Sequence, residues 1–156
     1  MNKKELILQT LEKMGYKPEI DGDGDILVRY QMKSIFVFVG DEEDSYVAVL
    51  LPQFHEIAEG EETLVLATCN KMTRELKLAK VFVDQTFKNV SASCEFFYAN
   101  EESLENSLVV VEQQGIVFQR YYSMAVVGIG QHTGSPLAPQ LELKIRLAIH
   151  AACHNL

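Results

Sequence analysis

The sequence contains no tryptophan, and its three cysteines form an odd set with no C-x-x-C pair. Cys69, Cys94 and Cys153 therefore suggest neither a disulfide framework nor a thiol-redox motif, and they suit a reducing cytoplasm. Long apolar runs are missing as well. No stretch reaches the ~18 uninterrupted apolar residues expected of a membrane-spanning helix. Leu6-Ile7-Leu8 lies between Glu5 and Glu12, which denies the N-terminus a secretory apolar core. Positive charge is scarce: 14 Lys and Arg stand against 22 Asp and Glu, a net charge of −8. That balance argues against nucleic acid and against an anionic membrane surface as partners. The sequence also lacks a P-loop, a G-x-S-x-G elbow, an H-E-x-x-H pair and a dinucleotide fingerprint. His150 and His154 offer two ligands where a closed metal site takes about four. No cofactor, no metal and no enzymatic activity are expected.

What is present reads as a sheet with helices. Residues 26–51 form its centre. Ile26, Val28 and Tyr30 alternate with Arg29 and Gln31, the period of a strand with one buried and one wetter face. Residues 35–39, IFVFV, are apolar throughout, so both faces of that strand call for cover. Helices would cover one. The other needs a second layer of this chain or a second copy of it. Residues 46–51 read the same way. Between them Asp41, Glu42, Glu43 and Asp44 read as a solvated hairpin tip before they read as a cation site.

Residues 2–14 predict a helix with Ile7, Leu11 and Met14 on one side and Asn2 as its cap. Lys3 and Lys4 oppose the helix dipole, so its first turn is expected to fray. Residues 16–21 predict a short strand. Asp21-Gly22-Asp23-Gly24-Asp25 is a hairpin turn rather than an EF-hand, which needs glycine at its sixth position and glutamate at its twelfth. Residues 52–60 read as a connection, with at most one helical turn near Phe54. A second helix over residues 61–76 carries Val65, Cys69, Met72 and Leu76 as its apolar stripe. Strands follow at 77–84 and 89–98; in the second, Val90, Ala92, Cys94, Phe96 and Tyr98 share a face until Phe97 breaks the alternation. One long helix is expected over residues 100–127, capped by Asn100, with Leu104, Leu108, Val111, Gly115, Phe118, Tyr122 and Ala125 along its seam. Gly115 marks a kink or a close approach to the sheet. Residues 128–139 read as a linker and residues 141–156 as an amphipathic helix, with a strand as the other possibility.

This order of elements resembles the YbjN-like family of bacterial proteins, described as sensory transduction regulators. The segment that carries the resemblance is Cys69-Asn70-Lys71-Met72-Thr73-Arg74 leading into Lys80-Val81-Phe82-Val83-Asp84. It covers residues 3–127. The resemblance implies a fold like that of type III secretion chaperones, often dimeric, and no catalytic residue to carry over.

The expectation is therefore an α+β protein, an antiparallel sheet of five to six strands with helices packed on one face. Residues 1–127 would form the domain and residues 128–156 a linker with an amphipathic end. The expected role is a cytoplasmic, non-enzymatic protein-binding module that recognises a protein partner or a second copy as a homodimer. The other reading is a regulator that responds to a small ligand or a cation. The candidate interaction residues are Asn70, Arg74, Phe97, Phe118 and Tyr122.

Overall fold

The computed structural model describes residues 2–133 apart from Glu42 and Asp44, with side chains described as far as Val126. Ten elements follow one another: α1 (Lys3–Lys13), β1 (Glu19–Ile20), β2 (Ile26–Tyr30), β3 (Lys33–Val39), β4 (Tyr46–Glu56), α2 (Glu62–Glu75), β5 (Ala79–Val83), β6 (Asn89–Phe97), α3 (Glu101–Glu112) and α4 (Gln114–Thr133). The strands make one six-stranded sheet in the order β1-β2-β3-β4-β6-β5, antiparallel at every junction. The α+β expectation holds.

The first turn of α1 is closed by a cap. The Asn2 side chain accepts from the Glu5 N–H while Glu5 reaches back to the Asn2 N–H, a reciprocal capping box. The two lysines that oppose the dipole are used elsewhere: Lys3 Nζ donates to the Asp41 carbonyl at 2.9 Å, and Lys4 Nζ donates to the Gly24 carbonyl. That second bond ties α1 to the β1–β2 turn. In this turn Asp21 Oδ1 accepts from the Asp23 and Asp25 N–H groups at 3.0 and 2.9 Å, and Gly24 takes φ +89°. It is the hairpin turn that the Asp-Gly pairs predict.

Register explains the core. Ile26, Val37, Val49, Cys94 and Ala79 stand opposite one another across five strands, and all are buried. The helices pack over this row in two clusters. Ile7 and Leu11 of α1 join Leu104, Leu108 and Val111 of α3 above β2–β4. Val65, Cys69 and Met72 of α2 join Phe118, Tyr122 and Val126 of α4 above β5 and β6. Phe54 packs against both clusters.

Three expectations are corrected here. β4 does not end at Leu51 but runs on to Glu56, through a bulge in which Leu51 pairs with Ala92 and His55 with Val90. Gln53 takes φ +49° within the bulge, and its N–H donates to Ser91 Oγ at 3.0 Å, so the ladder resumes past Pro52. The single long helix is two, broken at Gln113. The expected seam is kept across the break at Phe118 and Tyr122, while Gln114 and Val126 are buried in place of Gly115 and Ala125. Gly115 does approach the sheet closely, since a Cβ there would lie 3.2 Å from Lys33 Nζ and 3.8 Å from the Phe54 ring. Finally, α4 continues through Gly128 to Thr133, where a linker was expected. The remainder of that linker and the amphipathic segment 141–156 lie outside the described residues.

Candidate docking surface

The described helices all lie on one face of the sheet, and among the described residues no element covers the other. Strand alternation decides what this open face presents. Because Ile26, Val37 and Val49 point into the core, their neighbours point away from it. One cross-strand row of the open face runs Leu27, Phe36, Leu50, Ser93, Lys80; the next runs Phe38, Ala48, Glu95; Tyr46 pairs with Phe97 beyond it. Phe36 and Phe38 stack, with centroids 6.2 Å apart and planes 10° from parallel. Phe82 stands opposite Ser91 on the same face. Five aromatic side chains, Phe36, Phe38, Tyr46, Phe82 and Phe97, thus gather on one side of the sheet, and Phe97 is 72% exposed.

The charges on this face are paired with each other. Lys80 Nζ lies 2.7 Å from Glu95 Oε1. That hydrogen bond holds the Glu95 carboxyl below its usual range, against a smaller upward push from burial, and the Tyr46 hydroxyl adds to the lowering. Glu95 in turn raises Lys80. At the β2 side Arg29 Nε approaches Glu19 Oε2 at 3.9 Å. The surface is therefore apolar and aromatic over β2–β4 and internally neutralised over β5 and β6. It can offer apolar contact area, while Ser91 and Ser93 between its strands are buried.

The five candidate interaction residues do not come together. Phe97 lies on the open face. Asn70 and Arg74 lie exposed on α2, with Arg74 3.9 Å from Glu75. Phe118 is fully buried and Tyr122 is 5% exposed; both fill the second cluster beneath α4 and serve the core. Their helical spacing signals burial equally well as contact, and burial is what they do. The residues that sequence reasoning missed are Phe36, Phe38 and Leu50. Their signal was present in the unbroken IFVFV run, which asked for cover on both faces and receives it on one.

Other polar groupings are structural. His55 Nδ1 lies 3.1 Å from Gln119 Nε2, and its Nε2 lies 4.0 Å from Glu61 Oε2. The ring is packed against Phe118 and Tyr122, with centroids 4.8 and 5.6 Å away. A hollow of about 510 Å³ opens where Met14, Tyr16 and Lys17 leave β2 at Arg29 and Tyr30. Burial raises the Cys69 thiol to about 11 and also raises Cys94, so both are inert core groups. No group of three or more His, Cys, Asp or Glu residues able to hold a metal occurs among the described residues, and none of their helices is long and apolar enough to cross a membrane.

The chain is thus an antiparallel sheet clad by helices on one face. The sequence profile of the type III secretion (YopN, CesT) and YbjN peptide-binding chaperones matches residues 2–112, and the chain belongs to that family. Solved structures of the same fold agree at low sequence identity. The HopA1–SchA chaperone–effector complex contains a chain 8% identical, matched over 74% of this chain and 91% of that one with a TM-score of 0.56. A chain of the ExsC–ExsE complex is 13% identical over 77% and 96%, with a TM-score of 0.55. YbjN from E. coli, proposed as a transcription regulator, is 12% identical over 83% and 92%, with a TM-score of 0.53. No curated protein matches the chain by sequence.

Proposed function

We propose that this protein is a non-enzymatic, cytoplasmic peptide-binding module of the chaperone type, whose docking surface is the open face of the sheet. The observation that carries the reading is the gathering of Phe36, Phe38, Leu27 and Leu50 on a face that no described element covers. Family membership supports it, because the family is described by peptide binding. The occupant is an apolar segment of a protein partner. The ion pairs of the face are already closed on themselves, so apolar contact rather than charge supplies the attraction. A homodimer is part of this reading. No observation favours a small-ligand or cation sensor over this reading.

The test compares capture of partners from native cytosol by the wild-type chain and by a Phe36→Ser/Phe38→Ser variant, with circular dichroism to show that both are folded. The wild type is expected to retain a stoichiometric partner that the variant loses. Equal retention by the variant would exclude the open face. A dimer in the wild type that is lost in the variant would assign the face to a second copy of the chain.

A further inference from the structure

Ala48 sits in the middle of the open aromatic face, and strand chemistry does not explain it. Alanine is depleted in strands, where β-branched and aromatic side chains fit the pleated surface better. The residues on either side of it along the open face of β4, Tyr46 and Leu50, are large, and so is Phe38, its partner on β3. Glu95 is its partner on β6. By strand spacing, the backbone positions of these four neighbours stand about 13 Å apart from Tyr46 to Leu50 and about 10 Å apart from Phe38 to Glu95.

Three of these neighbours are engaged away from Ala48. Phe38 stacks on Phe36 along β3, with planes 10° from parallel. The Tyr46 hydroxyl bonds the Glu95 carboxylate. Glu95 Oε1 also holds Lys80 Nζ at 2.7 Å. Ala48 is only partly buried, so these side chains do not fill the space above its methyl group. The result is a depression floored by Ala48 and walled by Phe38, Tyr46 and Leu50, with an already paired carboxylate on its rim. The walls offer carbon surface, and a charged occupant would have to break the Lys80–Glu95 pair to find a counter-charge.

We propose that Ala48 is the specificity-determining position of the open face, and that the depression above it takes one large apolar side chain, of the size of leucine, methionine or phenylalanine, from a segment of a protein partner. This rests on the reading of the open face as a peptide-docking surface and adds where the segment is anchored and by what. The occupant follows from the lining, since apolar attraction grows with the area removed from water. A few central anchors seated in pockets carry most of the affinity of an interface. Alanine at this position serves the depth it leaves rather than the stability of β4.

Ala48→Leu in the full chain tests this twice. A leucine that enters open space beside Phe38 and Tyr46 suits a strand better than alanine, so the midpoint of chemical denaturation is expected to hold or rise. A fall would show that neighbouring side chains already occupy the space, and would overturn the proposal. For binding, the probe is a random peptide library displayed on phage and selected on the wild-type chain. The selected peptides, resynthesised, are expected to contain one large apolar residue whose replacement by alanine weakens binding about tenfold or more. Ala48→Leu is expected to weaken the parent peptide by a similar factor and the alanine-replaced peptide hardly at all, the coupling that a shared contact gives in a double-mutant cycle. Full affinity for the Ala48→Leu chain would overturn the proposal. Peptides lost by the Phe36→Ser/Phe38→Ser chain but kept by Ala48→Leu would overturn the anchor and leave the face standing. Peptides kept by both variants, or no peptide selected at all, would overturn the face with it. A wild-type dimer that Ala48→Leu dissociates would give the anchor to a second copy of the chain and overturn the assignment to a partner.

Discussion

Thr73 makes two hydrogen bonds to one residue of a neighbouring strand. Its hydroxyl accepts from the Val81 N–H at 2.9 Å and donates to the Val81 carbonyl at 3.0 Å. β5 is the last strand of the sheet, and Val81 turns these groups away from β6. A sheet edge with free N–H and C=O groups is a template for pairing with another chain, and covering it is one way to prevent that. Thr73→Val keeps the shape and removes both bonds. We expect a loss of about 1–2 kcal/mol in chemical denaturation, together with faster exchange of the Val81 amide. An unchanged midpoint would show that water replaces the hydroxyl at no cost. The Lys80–Glu95 pair gives a pH-dependent expectation. Glu95 titrates lower in the fold than in the unfolded chain, so its stabilisation is present above the unfolded value of about 4.3 and is lost as pH falls through the folded value. Both side chains are well exposed. Solvent screening therefore limits the effect of Lys80→Met to a few tenths of a kcal/mol at neutral pH, and the difference from wild type should vanish once the pH has fallen through the lowered folded value. Paired pH-dependent unfolding curves measure it.

At the level of elements, Gly115 is the position where helix propensity and packing can be separated. Glycine in a helix interior is about 1 kcal/mol less favourable than alanine, and Gly115, the second residue of α4, carries at most that penalty. The nearest atom to a new Cβ would be Lys33 Nζ at 3.2 Å, the end of a flexible side chain, while the Phe54 ring at 3.8 Å is at ordinary contact distance. Gly115→Ala should therefore stabilise the protein by up to about 1 kcal/mol; a fall in melting temperature would mean that Lys33 cannot move aside. The same residue shows where sequence reading succeeds and where it stops. The close approach at Gly115 was legible, as were the stripes of α1 and α2, because periodicity reports directly on burial. The break at Gln113 was not. Nothing marks residue 113 as a terminus, and the apolar seam can be followed across it from Val111 to Phe118 and Tyr122. The continuation of β4 past Pro52 was equally hidden: proline and the absence of alternation suggest a loop, and only the partner strand, through Ser91, supplies the bond that carries the ladder on. The β2–β3 turn lacks the usual glycine or asparagine; Gln31 and Met32 take φ of +47° and +63° there, held by the register of the two strands they join.

At the scale of the molecule, the two faces of the sheet should respond in opposite ways to the same kind of substitution. The helix-covered face is the core, and truncation of a buried leucine there, such as Leu108→Ala, is expected to cost about 2–5 kcal/mol. Phe36 and Phe38 are only partly buried, and their rings rest on each other rather than beneath a helix. Exchange of both for serine removes contact surface but leaves no cavity in the core, so the loss of stability should be clearly smaller than that for Leu108→Ala. Binding should show the reverse order, with the double serine variant losing a partner that the destabilised but folded core variant retains. The comparison matters because a peptide-binding face must stay apolar without being part of what holds the fold together. If the double serine variant were as unstable as the core variant, the aromatic face would be a structural layer of the fold. If it were stable and still bound its partner, the contact would have to lie away from the aromatic face, on the helix side of the sheet.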